Sequence, residues 1–370
     1  MKIVDLETVY LSCPLEEPLV YARGEARSRD IILVLVHTDV GLTGIGECHP
    51  ADAPLVITAV LEKGIKACIL GEDPLFIERI WEKMYNNSLE YGRKGAAIIA
   101  MSGVDIALWD ILGKMTNLPI YKLLGAYQEK VRTYASGGYY HSKLEGLAEE
   151  MSGYVREGFS AVKMKMGKAD FRADIERVKT VREAIGDNID LIIDANSAWS
   201  VPTAIRIMKK LEKYDVLFLE EPVSPDDIEG YAKINATIAI PLAAGENAFT
   251  RYGFRDLIQA RAVEILMPDA TWCGGISESK KIFAMAGAHN MLCAPHSFDS
   301  AISLAANLHV GASASNCSFV ELDRTWNPFI SDLLTEPIYI DGEGYARVPQ
   351  KLGLGLELNE ETVDKYRIEI

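Results

Sequence analysis

In "SAVKMKMGK", residues 160–168, Lys163 and Lys165 alternate with Val162, Met164 and Met166. Successive strand residues point to opposite faces, so a strand here sets two ammonium groups side by side. Solvated strand edges also carry lysines, and this segment by itself does not separate the two readings. Other apolar runs carry ionisable groups at or near their ends: Asp194 in "LIID", Glu220 in "VLFLE" and Glu246 in "IPLAAGE". Further on come Asp269 in "VEILMPD", His296 in "MLCAPH" and Glu321 in "SFVE". Asp194 and Glu220 are 26 residues apart, and so are Glu220 and Glu246. One carboxylate could be a helix N-cap in the next loop. Three at one fixed period point to successive strand ends facing a common mouth. Converging carboxylates repel one another and are pushed toward protonation unless a cation sits among them. An all-oxygen set favours a hard dication, Mg²⁺ first and Mn²⁺ as the alternative, over zinc or iron. Beside such an ion and a second ammonium, one of the two lysines is expected to shift toward its neutral form and act as a base. The other can stay charged and hold a substrate carboxylate. His296 can exchange a proton from the other side, with Asp269 fixing its tautomer.

These groups need a parallel barrel. From Val131 onward, eight short apolar runs alternate with amphipathic helical segments such as "FRADIERVKTVREAIG", one unit every 20–30 residues. Eight parallel strands of this kind close a barrel whose strand C-terminal ends form the active-site mouth. Residues 1–125 differ: strands at 3–12 and 31–37, then "DVGLTGIGE" turning into another, read as an antiparallel meander. Helical segments follow near 54–69, 75–86 and 95–115. The expected organisation is therefore an N-terminal α+β capping domain over 1–125 and a barrel over 126–325. Residues 326–370 are expected to return to the first domain and complete it.

A chain of 370 residues has room for both units. Its formal net charge of −15 argues against nucleic-acid or anionic-membrane partners. "MKIVDLETVYL" lacks the basic start and apolar core of a secretion signal, which assigns the chain to the cytoplasm by default. The six scattered cysteines are expected to be reduced and mostly core-filling, with only a remote case for Cys273 or Cys293 as a nucleophile. The remaining histidines, His37, His49, His141, His289 and His309, are taken as structural or surface residues.

In order and spacing, these motifs resemble the mandelate racemase subgroup of the enolase superfamily, over almost the whole chain. "VKMKM" resembles the Lys-x-Lys motif of the second barrel strand, and "IIDAN", "FLEEP" and "AAGEN" resemble the three metal-ligand strand ends. "MPDATWCGG" and "CAPHS" resemble the Asp–His pair. The resemblance implies a (β/α)7β-type modified TIM barrel beneath the capping domain. It also implies Asp194, Glu220 and Glu246 as Mg²⁺ ligands, with Glu220 rather than Glu221 carried over. Lys163, Lys165, Asp269, His296 and Glu321 become the catalytic set, with Lys165 shifted toward its neutral form as the base, Lys163 staying charged to hold a carboxylate, Glu321 assisting the developing enolate, and Asn196 a polar neighbour of the metal. The implied chemistry is removal of a proton α to a carboxylate, giving an enediolate; homo-oligomers are common in the family.

The enediolate has two fates with such a pair: a dehydratase expels a β-hydroxyl, whereas a racemase or epimerase returns the proton to the opposite face. The stretch "LVYARGEARSRD" matches the family's first-domain specificity loop and brings Tyr21, Arg23, Arg27 and Arg29. A second segment, "NNSLEYGRKG", adds Asn86, Asn87, Tyr91, Arg93 and Lys94. Arginines and amides suit a polyhydroxylated or dicarboxylic acid, because each desolvated hydroxyl needs a partner. The arginines could instead pair with Glu25 and Asp30. The preferred reading is a hydro-lyase, an aldonate or aldarate dehydratase taking a small carboxylate to a 2-keto-3-deoxy acid. A racemase or epimerase of a hydroxy- or amino-acid derivative is the alternative, and a non-catalytic sugar-acid binding protein the lesser one.

Overall fold

The computed structural model describes residues 1–370 apart from 141, 142, 169 and 370, so the expectation for His141 lies outside the described residues. Strands β1 (Ile3–Val20), β2 (Glu25–Thr38) and β3 (Thr43–Cys48) form an antiparallel meander. The first two run longer than their apolar cores suggest, because backbone pairing continues past Cys13–Arg29 to Val20–Glu25 and carries the polar arginine stretch into the hairpin. A tight turn closes it, with Tyr21 N–H donating to Gly24 O at 3.0 Å. "IILVLV" is buried on both faces. Ile31 and Leu33 pack toward the barrel, and Ile32, Val34 and Val36 toward the capping helices.

Those helices are Pro54–Ala59, Ile77–Ser88 and Ala96–Thr116. The segment expected near 54–69 is not one regular helix: a π-helical stretch, Val60–Ile65, interrupts it where Gly64 O accepts from Asn87 Nδ2 at 3.1 Å. Ala96–Thr116 is long and apolar enough to cross a membrane, yet 83% of its most apolar window is buried inside this fold. "TGIG" explains how it packs. A Cβ on Gly46 would overlap the Gly103 carbonyl oxygen, and one on Gly44 the Ala107 carbonyl oxygen, so helix backbone lies directly on β3.

The barrel strands are β4 (Lys130–Gly137), β5 (Ala161–Lys165), β6 (Asp190–Asp194), β7 (Val216–Glu220), β8 (Leu242–Ala244), β9 (Ile265–Leu266), β10 (Leu292–Cys293) and β11 (Val320–Asp323). Each successive pair is parallel, β11 returns beside β4, and seven helices fill the connections. Between β10 and β11 the ring closes through a single parallel backbone β-bridge at residues 293 and 317, whose thiols are free, and the Ser318 N–H to Cys293 O bond of 2.8 Å. This is the modified TIM barrel, with eight strands and seven intervening helices. Its floor is apolar: Ile192, Phe218, Ala243, Met267 and Ala294 form one buried cluster with Tyr134. The C-terminal segment serves both units. Tyr345–Arg347 pairs with β4, and Arg367–Ile368 pairs with β1 at the edge of the capping sheet.

Candidate active site

One register row carries much of the expected chemistry. Lys165 lies opposite Asp194, and Asp194 opposite Glu220, so three ionisable side chains on β5, β6 and β7 point into the barrel at one level. Glu246 follows two residues after β8. One oxygen each from Asp194, Glu220 and Glu246 lies within 4.8 Å of the others. Octahedral Mg²⁺ holds oxygens at about 2.1 Å, hence no more than roughly 4.2 Å apart, so the triad closes on such an ion by small side-chain rotations.

The charge balance fits the same ion. Lys163 Nζ lies 2.7 Å from both Glu220 Oε2 and Glu321 Oε1, and Lys165 Nζ lies 2.5 Å from Asp194 Oδ2. Among the described residues, Asp194, Glu220, Glu246 and Glu321 thus face two ammonium groups, a formal deficit that one dication fills. Glu220 Oε1 and Asn196 Oδ1 are buried without a hydrogen-bond partner among the described residues. They are oxygen atoms of the kind a hard cation takes.

The pKa shifts show the same crowding. Burial, then the neighbouring carboxylates, push Glu220 up against the pull of Lys163. Burial and the charges of Glu221 and Asp194 raise Glu246, outweighing His296 and Lys165. Asp194 goes the other way, because Lys165 and Lys163 outweigh its burial. Lys165 differs from its sequence-based expectation. Burial favours the neutral amine, but the Asp194 charge overrides it and raises the pKa above that of an ordinary lysine. The second ammonium at Lys163 counts for less than the carboxylate in contact.

Asp269 and His296 lie beyond the very short strands β9 and β10, in loops that continue their direction. His296 Nδ1 and Asp269 Oδ2 are 2.7 Å apart. His296 Nε2 faces Glu246 at 3.6 Å and Glu321 at 3.8 Å. Burial opposes the imidazolium, but Glu321, the Asp269 hydrogen bond and Glu246 outweigh it and raise His296 to about 10. Glu321 is brought down to about 2, as Lys163 and His296 overcome its burial. Asn196 sits in a left-handed conformation, φ 42°, and donates from both its backbone N–H (2.8 Å) and Nδ2 (3.1 Å) to Asp194.

Lys165, Asn196, Glu246 and His296 line a cleft of about 250 Å³ roofed by Tyr21 and Arg23 of the capping hairpin. Lys163 lies beneath this surface at 0% exposure. Of the other hairpin arginines, Arg27 is exposed and pairs with Glu25, while Arg29 is buried at the cleft wall. Arg29 pairs with Asp323 at 2.8 Å and stacks 4.6 Å over Phe298. The second polar segment does not reach the cleft. Arg93 and Lys94 line a separate surface pocket with Tyr252 and Arg255. Its loop follows a capping helix whose Trp81 Nε1 donates to Gly274 O, in the loop after β9, at 2.8 Å. Cys273 and Cys293 are buried, and burial raises both thiols, which leaves neither a ready nucleophile.

Several wall residues were not singled out by sequence: Tyr139 after β4, Trp272, Asp299, and His49 at the end of β3. His49 corrects the structural-or-surface reading, since the capping sheet ends directly over the barrel mouth. Its one sequence signal is the "CHPAD" turn, where Ala51 and Asp52 both take positive φ.

Comparison with known proteins agrees with this architecture. Residues 4–125 match the family model for the mandelate racemase / muconate lactonizing enzyme N-terminal domain, and residues 146–362 match the enolase C-terminal domain-like model. The chain is 38% identical over 340 residues to an arabinonate dehydratase of Saccharolobus solfataricus, covering 91% of each protein. It is 35% identical over 380 residues to a D-galactarolactone cycloisomerase of Agrobacterium fabrum, covering 100% of this chain and 99% of that one. The crystal structure of an L-talarate dehydratase from Polaromonas sp. JS666, complexed with Mg and L-glucarate, superposes with a TM-score of 0.90 at 30% identity, covering 100% of this chain and 98% of that chain.

Proposed function

The chain belongs to the mandelate racemase / muconate lactonizing enzyme family of the enolase superfamily, and from that premise we propose that it is an acid-sugar dehydratase. Its substrate is an aldonate or aldarate, and its product the 2-keto-3-deoxy acid. The observation that carries this reading is the arrangement of one cleft. Lys165 stands on the second barrel strand, and Asp269 and His296 follow the sixth and seventh, with the carboxylate triad at the ends of the three strands between. Asp194, Glu220 and Glu246 would hold Mg²⁺, which when bound supplies positive charge toward the substrate carboxylate and the electrons that collect on it.

The residues of the chain do the rest. With Asp194 engaged as a ligand, Lys165 loses the carboxylate that keeps it an ammonium, and its amine can take the α-proton. The C–H electron pair moves into the enediolate, and Lys163 and Glu321 hold the charge arrangement beneath it. His296, as the imidazolium, gives its proton to the β-hydroxyl as that C–O bond breaks. One proton enters at Lys165 and one leaves from His296, and the enol left behind tautomerises to the keto acid. The polar wall supports a hydroxylated substrate: Tyr21, Ser28, Asp52 and Asn247 line the cleft with Arg23.

A second reading, an isomerase acting through the same enediolate, is favoured by the cycloisomerase relative that spans the whole chain. Incubation with a library of aldonates and aldarates plus Mg²⁺, assayed for 2-keto acid with semicarbazide, decides between them. Keto acid supports dehydration. Exchange of the α-hydrogen in D₂O with an isomer and no keto acid supports the second reading, and neither outcome on any member overturns both.

A further inference from the structure

The wall opposite Lys165 holds more acid than the reaction uses. Asp299 is 6% exposed, and its neighbours are Glu47 and His49 of the capping sheet, Arg29 of β2, Asp269 and Thr271 after β9, and His296 of its own loop. The Thr271 hydroxyl connects two of these carboxyl groups. Thr271 Oγ1 lies 2.8 Å from Asp269 Oδ1 and 3.2 Å from Asp299 Oδ2. A hydroxyl has one proton. If it donates to one carboxyl oxygen, its contact with the other is favourable only when that oxygen donates in return. One of the two acids therefore carries a proton.

Asp269 is the poorer candidate for it. Its Oδ1 already accepts the Thr271 backbone N–H at 2.8 Å and Asn307 Nδ2 at 3.4 Å, and its Oδ2 faces His296 Nδ1. Burial alone would raise Asp269, yet the hydrogen bond and charge of His296 hold it below an ordinary aspartate. Asp299 is pushed well up, first by burial and then by the Asp269 charge, against His296, Thr271 and Arg29. Arg29 is committed to Asp323.

At the far end, the Ala51 N–H donates to His49 Nδ1 at 2.8 Å. That bond fixes the neutral tautomer with its proton on Nε2, and burial, which lowers His49 to about 4, agrees. Nε2–H then faces Asp299 Oδ1 at 3.5 Å, the oxygen left as acceptor when Oδ2 carries the proton. Every group in the series has a donor facing an acceptor: His49 toward Asp299, Asp299 toward Thr271, Thr271 toward Asp269, and His296 toward Asp269.

We infer that Asp299 is held as a neutral carboxylic acid and is a positioning residue, linking His49 of the capping domain through Thr271 to the Asp269–His296 pair. A substrate hydroxyl that draws on His49 at the cleft wall is thereby coupled to the orientation of His296. The consequence at His296 rests on the proposed dehydratase reading; the protonation of Asp299 does not.

The test uses the full-length protein. Infrared spectra of ¹³C-aspartate-labelled wild type at neutral pH, minus those of Asp299→Asn, are expected to contain the carbonyl stretch of a protonated acid. A carboxylate pair of bands in its place overturns the inference. Asparagine donates from Nδ2 and accepts at Oδ1, as the neutral acid does, so Asp299→Asn is expected to recover most of the activity that Asp299→Ala loses. That loss is expected to be about 10–100-fold in kcat with KM much less affected. Thr271→Val is expected to lose a similar factor and Thr271→Ser to recover it. Asn and Ala variants that are equally impaired would show that the charge of Asp299 matters, and would overturn the inference. Wild type inactive on every acid sugar would refute the dehydratase reading and leave the infrared result standing.

Discussion

Replacing Glu246 by Gln separates a metal site from a cluster that only looks like one. The substitution keeps the side-chain volume and the carbonyl oxygen that Asn247 Nδ2 approaches at 3.2 Å. It removes one negative charge facing Glu221 and Asp194, and the attractions given up are the long contact with His296 at 3.6 Å and the weaker pull of Lys165. In EDTA the variant should therefore be as stable as wild type or more so. With Mg²⁺ the order reverses. A ligand at 100 times its Kd stabilises by about 2.7 kcal/mol. Unfolding entropy of about 2.1 cal/mol/K per residue over 370 residues makes each kcal/mol worth roughly 1.3 °C, so wild type gains about 3.5 °C. Losing one charged interaction of about 2.7 kcal/mol weakens Mg²⁺ binding about 100-fold. At the same Mg²⁺ concentration the variant then gains about 0.4 kcal/mol, or roughly 0.5 °C. Differential scanning calorimetry with and without Mg²⁺ at matched ionic strength, and titration calorimetry of the apoprotein, measure both numbers. Equal Mg²⁺ shifts in the two proteins, or no shift in wild type, would refute the assignment of Glu246 as a ligand.

Three further outcomes are expected. His309 accepts the Tyr121 N–H on Nδ1 and donates from Nε2 to Leu354 O, and burial lowers it to about 4. A depressed histidine gives stability that is present above the unfolded value near 6.5 and lost as pH falls toward 4, here about 3 kcal/mol; His309→Gln, which can make both bonds uncharged, should flatten that limb of a urea-unfolding pH series. Arg29→Ala should cost about 3–5 kcal/mol in urea unfolding, because it strands buried Asp323 without its partner. Gly46→Ala should destabilise by at least about 1–3 kcal/mol in the same assay, since its methyl would force the Ala96–Thr116 helix off β3.

What could be read from sequence was whatever the strand period encodes. Asp194 and Glu220 are legible because a parallel strand of fixed length delivers its last residue to the mouth, and the 26-residue interval repeats that delivery. Asp269 and His296 stayed legible although β9 and β10 are only two residues long, since the loops prolong the strand direction. Contacts made by the packing of the two units were not legible. Arg29 finds Asp323 almost 300 positions away, and His49 meets Asp299 only because β3 ends over the barrel. Arg93 and Lys94 looked similar in composition to the hairpin arginines, but they line a separate pocket with Tyr252 and Arg255. The direction of the Lys165 shift also needed coordinates, because it depends on whether ammonium or carboxylate is nearer.

That distance also distinguishes the two lysines that alternate on β5. Both point inward, two residues and one layer apart. Lys163 is fully buried, 5.2 Å over the Tyr134 ring, with Glu220 and Glu321 each at 2.7 Å. Burial favours its neutral amine, but those carboxylates outweigh it and keep it charged. A proton on Lys163 has no open path to the cleft, so its contribution is a fixed positive charge under the triad. Lys165 is 7% exposed, lines the cleft beside Tyr139, and depends chiefly on Asp194 for its ammonium form. A single change at Asp194 is therefore enough to alter the protonation of Lys165, whereas Lys163, 3.9 Å from Asp194, would keep Glu220 and Glu321 in contact. The same side chain repeated along one strand serves once as structural charge and once as a titratable group. The difference lies in the number of carboxylates each one touches.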